Sequence, residues 1–240
     1  MNIRFLIRKY HRWLALFIGL QALIWIASGV YMVTIDLDYI RGDQLVQKMD
    51  EPLRENYQNL ISFAEIQQKY PNARKVELVQ WLGAAHYRIM DDIGTHLIDA
   101  KTAHIISPLT RDDALRVAEY HFAQAGNIIN ITLLTNQKNA PSEINGRPLP
   151  LWQVSFDDDI ASNFYISPDS GLLVTRRHEY WRMFDFLWML HIMDYENRTD
   201  VNNLLLIISS ILGVILSISG FWLLFYSFKK SRPQNMGSGK

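Results

Sequence analysis

Two long stretches without a charged side chain, one near each end, constrain this sequence most. The first covers residues 13–35 and the second covers residues 203–228. At a rise of 1.5 Å per residue, the first would be roughly 34 Å long as a helix, which exceeds the roughly 30 Å hydrocarbon core of a bilayer. The lengths therefore predict two transmembrane helices with a polar domain between them.

The first stretch has a basic leader containing Arg4, Arg8, Lys9 and Arg12, so a cleaved signal peptide is an alternative. Signal peptides have an apolar core of roughly 7–15 residues that ends in a small-residue cleavage site. This stretch is longer, and no clear Ala-x-Ala sequence follows it. We therefore expect an uncleaved anchor.

Charge predicts how the chain is oriented. The flanks, 1–12 and 229–240, each carry four basic side chains and no acidic one. The middle, 36–202, holds the other 16 basic and all 24 acidic residues, a net charge of −8. Because loops rich in Lys and Arg stay in the cytoplasm, we expect two cytoplasmic tails and a periplasmic middle domain, in a bacterial inner membrane.

Small residues recur in both stretches at the spacing that lets helices approach closely. Ala15 and Gly19 are four residues apart, and Ser209, Gly213 and Ser217 repeat at the same interval. Such rows pack transmembrane helices together. We expect the two spans to pack on each other, with self-association through the same face as the alternative.

Composition excludes several classes of protein. The absence of cysteine excludes disulfide scaffolds, zinc fingers, Cys-ligated iron–sulfur clusters and a Cys nucleophile. A net charge of zero disfavours nucleic-acid binding. The three consecutive aspartates at 157–159 lack an EF-hand pattern, so we expect a solvated turn rather than a calcium site. With no phosphate loop or nucleophile elbow present, no catalytic residue and no metal ligand is predicted.

The polar middle predicts a duplicated α+β module. Two units, about 59–108 and 109–177, each contain a helix, a strand and a hairpin. One unit could not bury its own sheet and helix, whereas two units that pair their sheets could. The expected fold class is therefore a membrane α+β protein with one extracytoplasmic domain, which ends in an interfacial helix at about 178–195.

Capping boxes mark the helix of each unit, Ser62 with Glu65 and Thr110 with Asp113. The second helix is expected to continue to Gly126, which would be its C-terminal cap. Alternation of apolar and polar residues predicts strands at 75–82, 86–90, 96–99 continuing past a turn to 106, 128–134, 151–156, 164–166 and 172–175.

Two of the seven histidines, His11 and His191, are candidate axial ligands of a haem. Each lies at the boundary of a predicted span, and b-type haem in membranes commonly uses histidines on helices. Phe184 and Trp188 share one helical stripe with His191 and are candidate haem contacts. The leading interpretation of this stretch is an interfacial helix lying on lipid, since Trp and Tyr favour that zone, and a haem or quinone contact is the alternative. The histidines within the middle domain are expected to be structural, and His121 is expected at the surface.

Geometry limits the haem hypothesis. His11 and His191 are expected near opposite ends of a span, about 30 Å apart. Two axial imidazole nitrogens must lie about 4 Å apart to bind one iron. A second chain, or His178, would have to supply the other ligand, and a homodimer would provide four spans.

Short motifs resemble the PepSY-associated transmembrane family. They are Arg8–Leu16, Tyr165–Gly171, Leu190-His191 and the Ser-Gly-Phe-Trp sequence at 219–222. The chain departs from the family at Ala103, where the turn usually carries glycine, and in having two spans where many relatives have four.

The resemblance implies an inner-membrane protein with a PepSY domain. PepSY units occur as inhibitory or regulatory modules, and some four-span relatives are haem-containing reductases that help release iron from siderophores. The leading expectation is a non-enzymatic binding or regulatory subunit that contacts another membrane or periplasmic protein. The alternative is a haem b electron-transfer protein in iron uptake, and protease inhibition is a third hypothesis by analogy.

Overall fold

The computed structural model describes residues 3–47 and 59–228. The chain divides into two compact units. The helical unit consists of residues 3–35 and 184–228, and the sheet unit consists of residues 36–47 and 59–183. The expected C-terminal tail, 229–240, lies outside the described residues.

Three helices supply the helical unit: α1 (Ile3–Thr34), the second half of α5 (Glu179–Ile192) and α6 (Leu204–Phe228). Helices α1 and α6 pack on each other, and a Cβ built on Gly213 would lie 3.9 Å from the Ile18 side chain. Ser209 is buried as well. Gly213 therefore lies against α1, whereas Ser217 is exposed and no neighbouring group lies within 4 Å of the Cβ position of Gly19 on α1.

The outer faces of α1 and α6 are apolar and uncovered. Their most apolar windows have mean hydropathies of 1.9 and 2.5, and only 11% and 6% of these windows is buried. By length and composition, residues Phe5–Thr34 and Leu204–Phe225 can each cross a membrane. So large an apolar surface is rarely left in contact with water.

Among the described residues of the sheet unit, seven strands form two antiparallel sheets. The first has the order β1-β2-β3 and the second has the order β4-β5-β6-β7. The strands are β1 (Lys75–Trp81), β2 (Ala84–Met90), β3 (Thr95–Asp99), β4 (Ile128–Leu134), β5 (Leu151–Phe156), β6 (Asn163–Ile166) and β7 (Leu173–Arg177). The helices are α2 (Leu37–Arg41), α3 (Phe63–Lys69) and α4 (Arg111–His121), with 3-10 turns at Asp43–Leu45, Gln137–Asn139 and Ser142–Ile144.

Both predicted capping boxes are present. The Ser62 side chain accepts a hydrogen bond from the Glu65 amide, and the Glu65 carboxylate accepts one from the Ser62 amide. Thr110 and Asp113 make the same reciprocal pair at the start of α4. Each box satisfies two backbone donors that the first helical turn leaves unpaired, so the sequence determines where both helices begin.

The predicted end of α4 at Gly126 is wrong, because the helix stops at His121. Phe122 is the C-terminal cap and has an extended backbone. Its ring stacks on Phe156, with the ring centroids 3.8 Å apart. Burial of this ring in the core turns the chain away from the helix five residues before the glycine.

The main core lies where the two sheets and α4 meet. Its buried members come from both sheets, which is the pairing that the duplicated pattern predicts. They are Leu45, Trp81, Leu97, Leu109, Val117, Ala118, Phe122, Val154, Phe156, Phe164 and Ile166. A second cluster packs α3 on the outer face of the first sheet, around Ile66, Tyr87 and Ile89.

The turns near the ends of the two repeated segments, about 59–108 and 109–177, correspond to each other. The first sheet ends at Asp99. The predicted continuation of its last strand to residue 106 forms one isolated bridge, between Ile98 and Ile105. The second sheet has a full strand there, β7. Ala103 and Gly171 occupy the two turns with φ of 56° and 69°, a left-handed conformation that costs a side chain about 1–2 kcal/mol.

Gly171→Ala is expected to lower the free energy of unfolding of the sheet unit by about 2–4 kcal/mol. Besides its positive φ, a new Cβ would lie 2.7 Å from Trp81 Nε1. Urea unfolding of the full chain in detergent measures the change. Gly94→Ala is the control, since nothing lies within 4 Å of its Cβ position; equal losses in both variants would contradict the role of the turn.

A buried carboxylate fastens the start of α5 to the second sheet. Glu143 Oε1 accepts hydrogen bonds from the Tyr165 hydroxyl at 2.5 Å and from Asn163 Nδ2 at 3.0 Å. Its Oε2 accepts one from Arg182 Nε at 2.6 Å. Arg177 Nε donates to the Glu143 carbonyl oxygen at 2.9 Å. The loop before β5 is thereby tied to β6, β7 and α5.

The network shifts two pKa values in opposite directions. Burial alone would raise the pKa of Glu143, but the hydrogen bonds and charge of its partners outweigh burial and hold the pKa below its ordinary 4.5. Burial, followed by the neighbouring carboxylate, raises the pKa of Tyr165 above its ordinary 10.0. The charged carboxylate and the neutral phenol are therefore the forms that the fold prefers.

We expect the contribution of this network to be complete between pH 4.5 and pH 10.0 and to be lost outside that window. The depressed pKa of Glu143 makes its contribution disappear as the pH falls through the lower folded value, and the raised pKa of Tyr165 makes its contribution disappear as the pH rises. Urea midpoints measured across pH check this. Tyr165→Phe should reduce the alkaline fall, and an unchanged alkaline limb would contradict the assignment.

Candidate functional site

His191, near the end of α5, is held by α1. Its Nδ1 lies 2.8 Å from Ser28 Oγ, and Trp25 Nε1 donates to the His191 carbonyl oxygen at 2.7 Å. The Ser28 hydroxyl donates its one proton to the Ile24 carbonyl at 2.8 Å. Nδ1 of His191 therefore faces the serine, and among the described residues its Nε2 makes no hydrogen bond.

His11, near the start of α1, has the same arrangement at the other end of the helix pair. Its Nδ1 lies 2.7 Å from Ser219 Oγ, and the Ser219 hydroxyl donates to the Leu216 carbonyl at 2.8 Å. The imidazole lies over Gly220, whose Cβ position is 3.3 Å from His11 Cε1. A serine on the facing helix therefore fixes the ring of each histidine through Nδ1.

The two histidines do not come together. His191 contacts Ser28, seventeen residues beyond His11 on the same helix, which corresponds to roughly 26 Å. His178, the alternative partner, is fully buried in the sheet unit, and its Nε2 lies 3.1 Å from the Tyr39 carbonyl oxygen. Within the described residues, each end of the α1–α6 helix pair therefore offers a single imidazole.

The aromatic residues predicted beside His191 do share its helix face. Phe184 and Trp188 have nearly parallel rings with centroids 6.4 Å apart, and Trp188 and His191 repeat this spacing. Trp188 Nε1 also donates to the Arg198 carbonyl oxygen at 3.1 Å. The stripe is therefore anchored in part by the loop that follows α5.

Asp194 organises that loop. Its carboxylate accepts hydrogen bonds from four backbone amides at 2.9–3.2 Å, those of Glu196, Asn197, Thr199 and Asp200. These bonds, led by that from Asp200, lower the pKa of Asp194 to about 2. The connection between α5 and α6 is thus built around one ionised side chain.

No metal site accompanies the histidines of the sheet unit. Among the described residues, no group of three or more His, Asp and Glu side chains could hold an ion. Two of the three consecutive aspartates serve the fold, since Asp157 binds Asn127 and Asp158 accepts from the Ser162 amide and hydroxyl.

An open cleft of about 290 Å³ lies in the sheet unit. It is lined by parts of both sheets and of α4, with both apolar and polar residues. The lining residues are Val46, Gln80, Trp81, Leu82, Arg88, Tyr120, His121, Gly171, Leu172, Leu173 and Arg176. These include two guanidinium groups and no carboxylate.

Two polar groups of this cleft have donors or acceptors to spare. Arg88 Nε donates to the Ser170 carbonyl oxygen at 3.2 Å, and among the described residues its terminal nitrogens have no partner. Nδ1 of His121 is buried and also lacks a partner there. His121, expected at the surface, is half-buried, and burial lowers the pKa of the ring.

Sequence patterns did not indicate the cleft. Arg88, His121 and Leu172 come from different elements and share no local motif. The serine partners of the helix-end histidines were also missed, although the row of small residues on α6 was a signal that other side chains approach there.

Comparisons with family models, curated proteins and solved structures gave no match. The resemblance to the PepSY-associated transmembrane family therefore stays a prediction from short motifs.

Proposed function

We propose that this chain is a membrane-anchored binding or regulatory subunit of the PepSY type, without enzymatic activity. Helices α1 and α6 cross the bacterial inner membrane, both termini lie in the cytoplasm, and the sheet unit lies in the periplasm. There the sheet unit contacts a periplasmic protein or another membrane protein. The uncovered apolar helices and the acidic middle of the sequence support this arrangement.

The observation that carries the proposal is the composition of the cleft. Its walls combine apolar side chains with the spare donors of Arg88. The described residues that line it include no carboxylate and no Ser or Thr hydroxyl that His121 could activate. Such a surface suits recognition, in which apolar contacts supply affinity and a few polar groups fix orientation.

Site-specific photocrosslinking in native membranes tests this function. A photoreactive phenylalanine at Leu172, which is 46% exposed at the cleft, should give one discrete adduct. The same residue at Ile93, which is 90% exposed in the β2–β3 turn, is the matched control. The captured protein should also co-purify with the unmodified chain in a fixed ratio.

Leu172→Arg should abolish the co-purification, because a long charged side chain would stand in the cleft. Identical adducts from both positions, or co-purification that Leu172→Arg does not change, would contradict binding through this surface.

One observation favours haem-linked electron transfer as a second candidate. Both helix-end histidines use Nδ1 toward a serine and keep Nε2 for another partner, which is how the second nitrogen of metal-binding histidines is usually fixed. When bound, a haem would supply one-electron chemistry, and His11 or His191 would each hold it through Nε2. Because the two lie roughly 26 Å apart, a haem at either end would be held by only one of these two histidines of a single chain.

The absorption spectrum of full-length protein, expressed with a haem precursor, tests this candidate. A Soret band that is lost in His191→Ala or His11→Ala, and kept in His104→Ala, would support it. His104 is an exposed histidine of the sheet unit. A colourless protein would exclude it.

A further inference from the structure

We propose that the cleft binds the C-terminal end of an extended peptide, with Arg88 holding the terminal carboxylate. This inference rests on the proposed binding function and names the chemistry of its ligand. The occupant is a chain end with an apolar last residue, supplied by the partner protein.

The charge of the cleft selects an anion. Two guanidinium groups line it, and no lining residue is acidic. Arg176 is already neutralised, since it pairs with Asp43 and donates to the Gly42 carbonyl oxygen. Within the described residues Arg88 makes no ion pair, since Glu77, its neighbour across the β1–β2 ladder, binds Lys75 at 2.6 Å and acts on Arg88 only through its charge. Arg88 is therefore the cation that a ligand can pair with.

The partial burial of Arg88 strengthens this selection. Desolvation lowers the pKa of its guanidinium, with Glu77 opposing the effect, so the charge is imperfectly compensated. A carboxylate matches the planar fork of a guanidinium through two parallel hydrogen bonds. An incoming carboxylate would therefore stabilise the charged guanidinium of Arg88.

The size and apolar lining fit one residue beside that carboxylate. The cleft offers a volume of about 290 Å³. Leu82, Tyr120 and Leu172 border this space and offer it apolar surface. A terminal side chain of aliphatic or aromatic type fills such a site, whereas a folded domain could not enter it.

The backbone of the cleft favours an extended ligand. Both β1 and β7 are edge strands, and both contribute lining residues, including Gln80 and Leu173. Edge strands leave alternate N–H and C=O groups unpaired. An extended peptide can bind these groups as an added strand.

Binding of N-acetylphenylalanine and of its carboxamide to the full chain in detergent, measured by calorimetry, tests the proposal. The two probes differ only in the charged end. The carboxylate is expected to bind about tenfold tighter or more, as a charge-assisted hydrogen bond to a half-buried guanidinium implies. Arg88→Met should abolish this preference. Arg74→Met is the control, because Arg74 is exposed outside the cleft and pairs with Asp92.

Equal affinities of the two probes, or a preference that survives in Arg88→Met, would overturn the proposal, as would absence of binding at millimolar concentrations. Leu172→Trp, an exposed substitution that fills the cleft, should weaken both probes even if Arg88→Met does not fold. A discrete adduct from Leu172 together with equal affinities of the two probes would refute only the recognition of a carboxylate. The proposed binding function would then stand. A carboxylate preference without any crosslinked partner would instead refute the proposed function.

Discussion

Glu143→Ala is expected to lower the free energy of unfolding of the sheet unit by about 3–5 kcal/mol, the usual cost of removing one partner of a buried ion pair. The substitution would leave the Tyr165 hydroxyl, Asn163 and Arg182 without their shared acceptor. The loop before β5 and the first turn of α5 should loosen together. Hydrogen exchange of peptides from β5 and β6, read across a urea series on the full chain, measures the change.

Two further variants make this test specific. Glu143→Gln keeps the shape and an acceptor oxygen but removes the charge, so its loss should be smaller than that of Glu143→Ala. Glu119→Ala removes an exposed carboxylate from α4 and should change the stability by less than about 0.5 kcal/mol. If Glu143→Ala behaved like Glu119→Ala, the network would not be what fastens α5 to the second sheet.

Phe164→Ala is expected to cost about 3–5 kcal/mol, the range for removing a buried aromatic ring. The Phe164 side chain is fully buried and meets Phe122 and Phe156 edge to face, with centroids 5.7 Å and 5.0 Å apart. The cavity would open where α4 meets both sheets, so the rigid position of the cleft wall should be lost as well. The urea midpoint of the sheet unit reports the change.

Phe63→Ala is the matched control, because Phe63 is 55% exposed at the start of α3 and should contribute little. A loss for Phe164→Ala no larger than that for Phe63→Ala would mean that the two sheets do not share one core.

Local signals predicted much of the fold. The capping boxes at Ser62 and Thr110 set the starts of α3 and α4, and period-two alternation located the strands, with Leu151–Phe156 reproduced at both ends. These signals are short-range and act through the backbone. They fail where a distant residue decides the outcome, as at the end of α4, where stacking on Phe156 overrides the expected glycine cap.

The candidate site depends on contacts that no local pattern records. In the sequence, Glu143 lies between two prolines and is expected to be an ordinary surface acid. Only the fold places Tyr165 and Arg182 around it. The cleft brings Arg88 and His121 together from elements thirty residues apart. The helix-end histidines were predictable as boundary residues, whereas their serine partners, Ser28 and Ser219, depend on how α1 and α6 pack.

Cysteine accessibility tests the membrane topology most directly, because the chain contains no cysteine and each introduced thiol is unique. Ile93→Cys marks the sheet unit and Ser238→Cys marks the C-terminal segment. With a membrane-impermeant maleimide on intact spheroplasts, Ile93→Cys should be labelled at once and Ser238→Cys only after the membrane is permeabilised. Labelling of Ser238→Cys in intact cells, or protection of Ile93→Cys, would contradict a membrane-anchored domain that faces the periplasm.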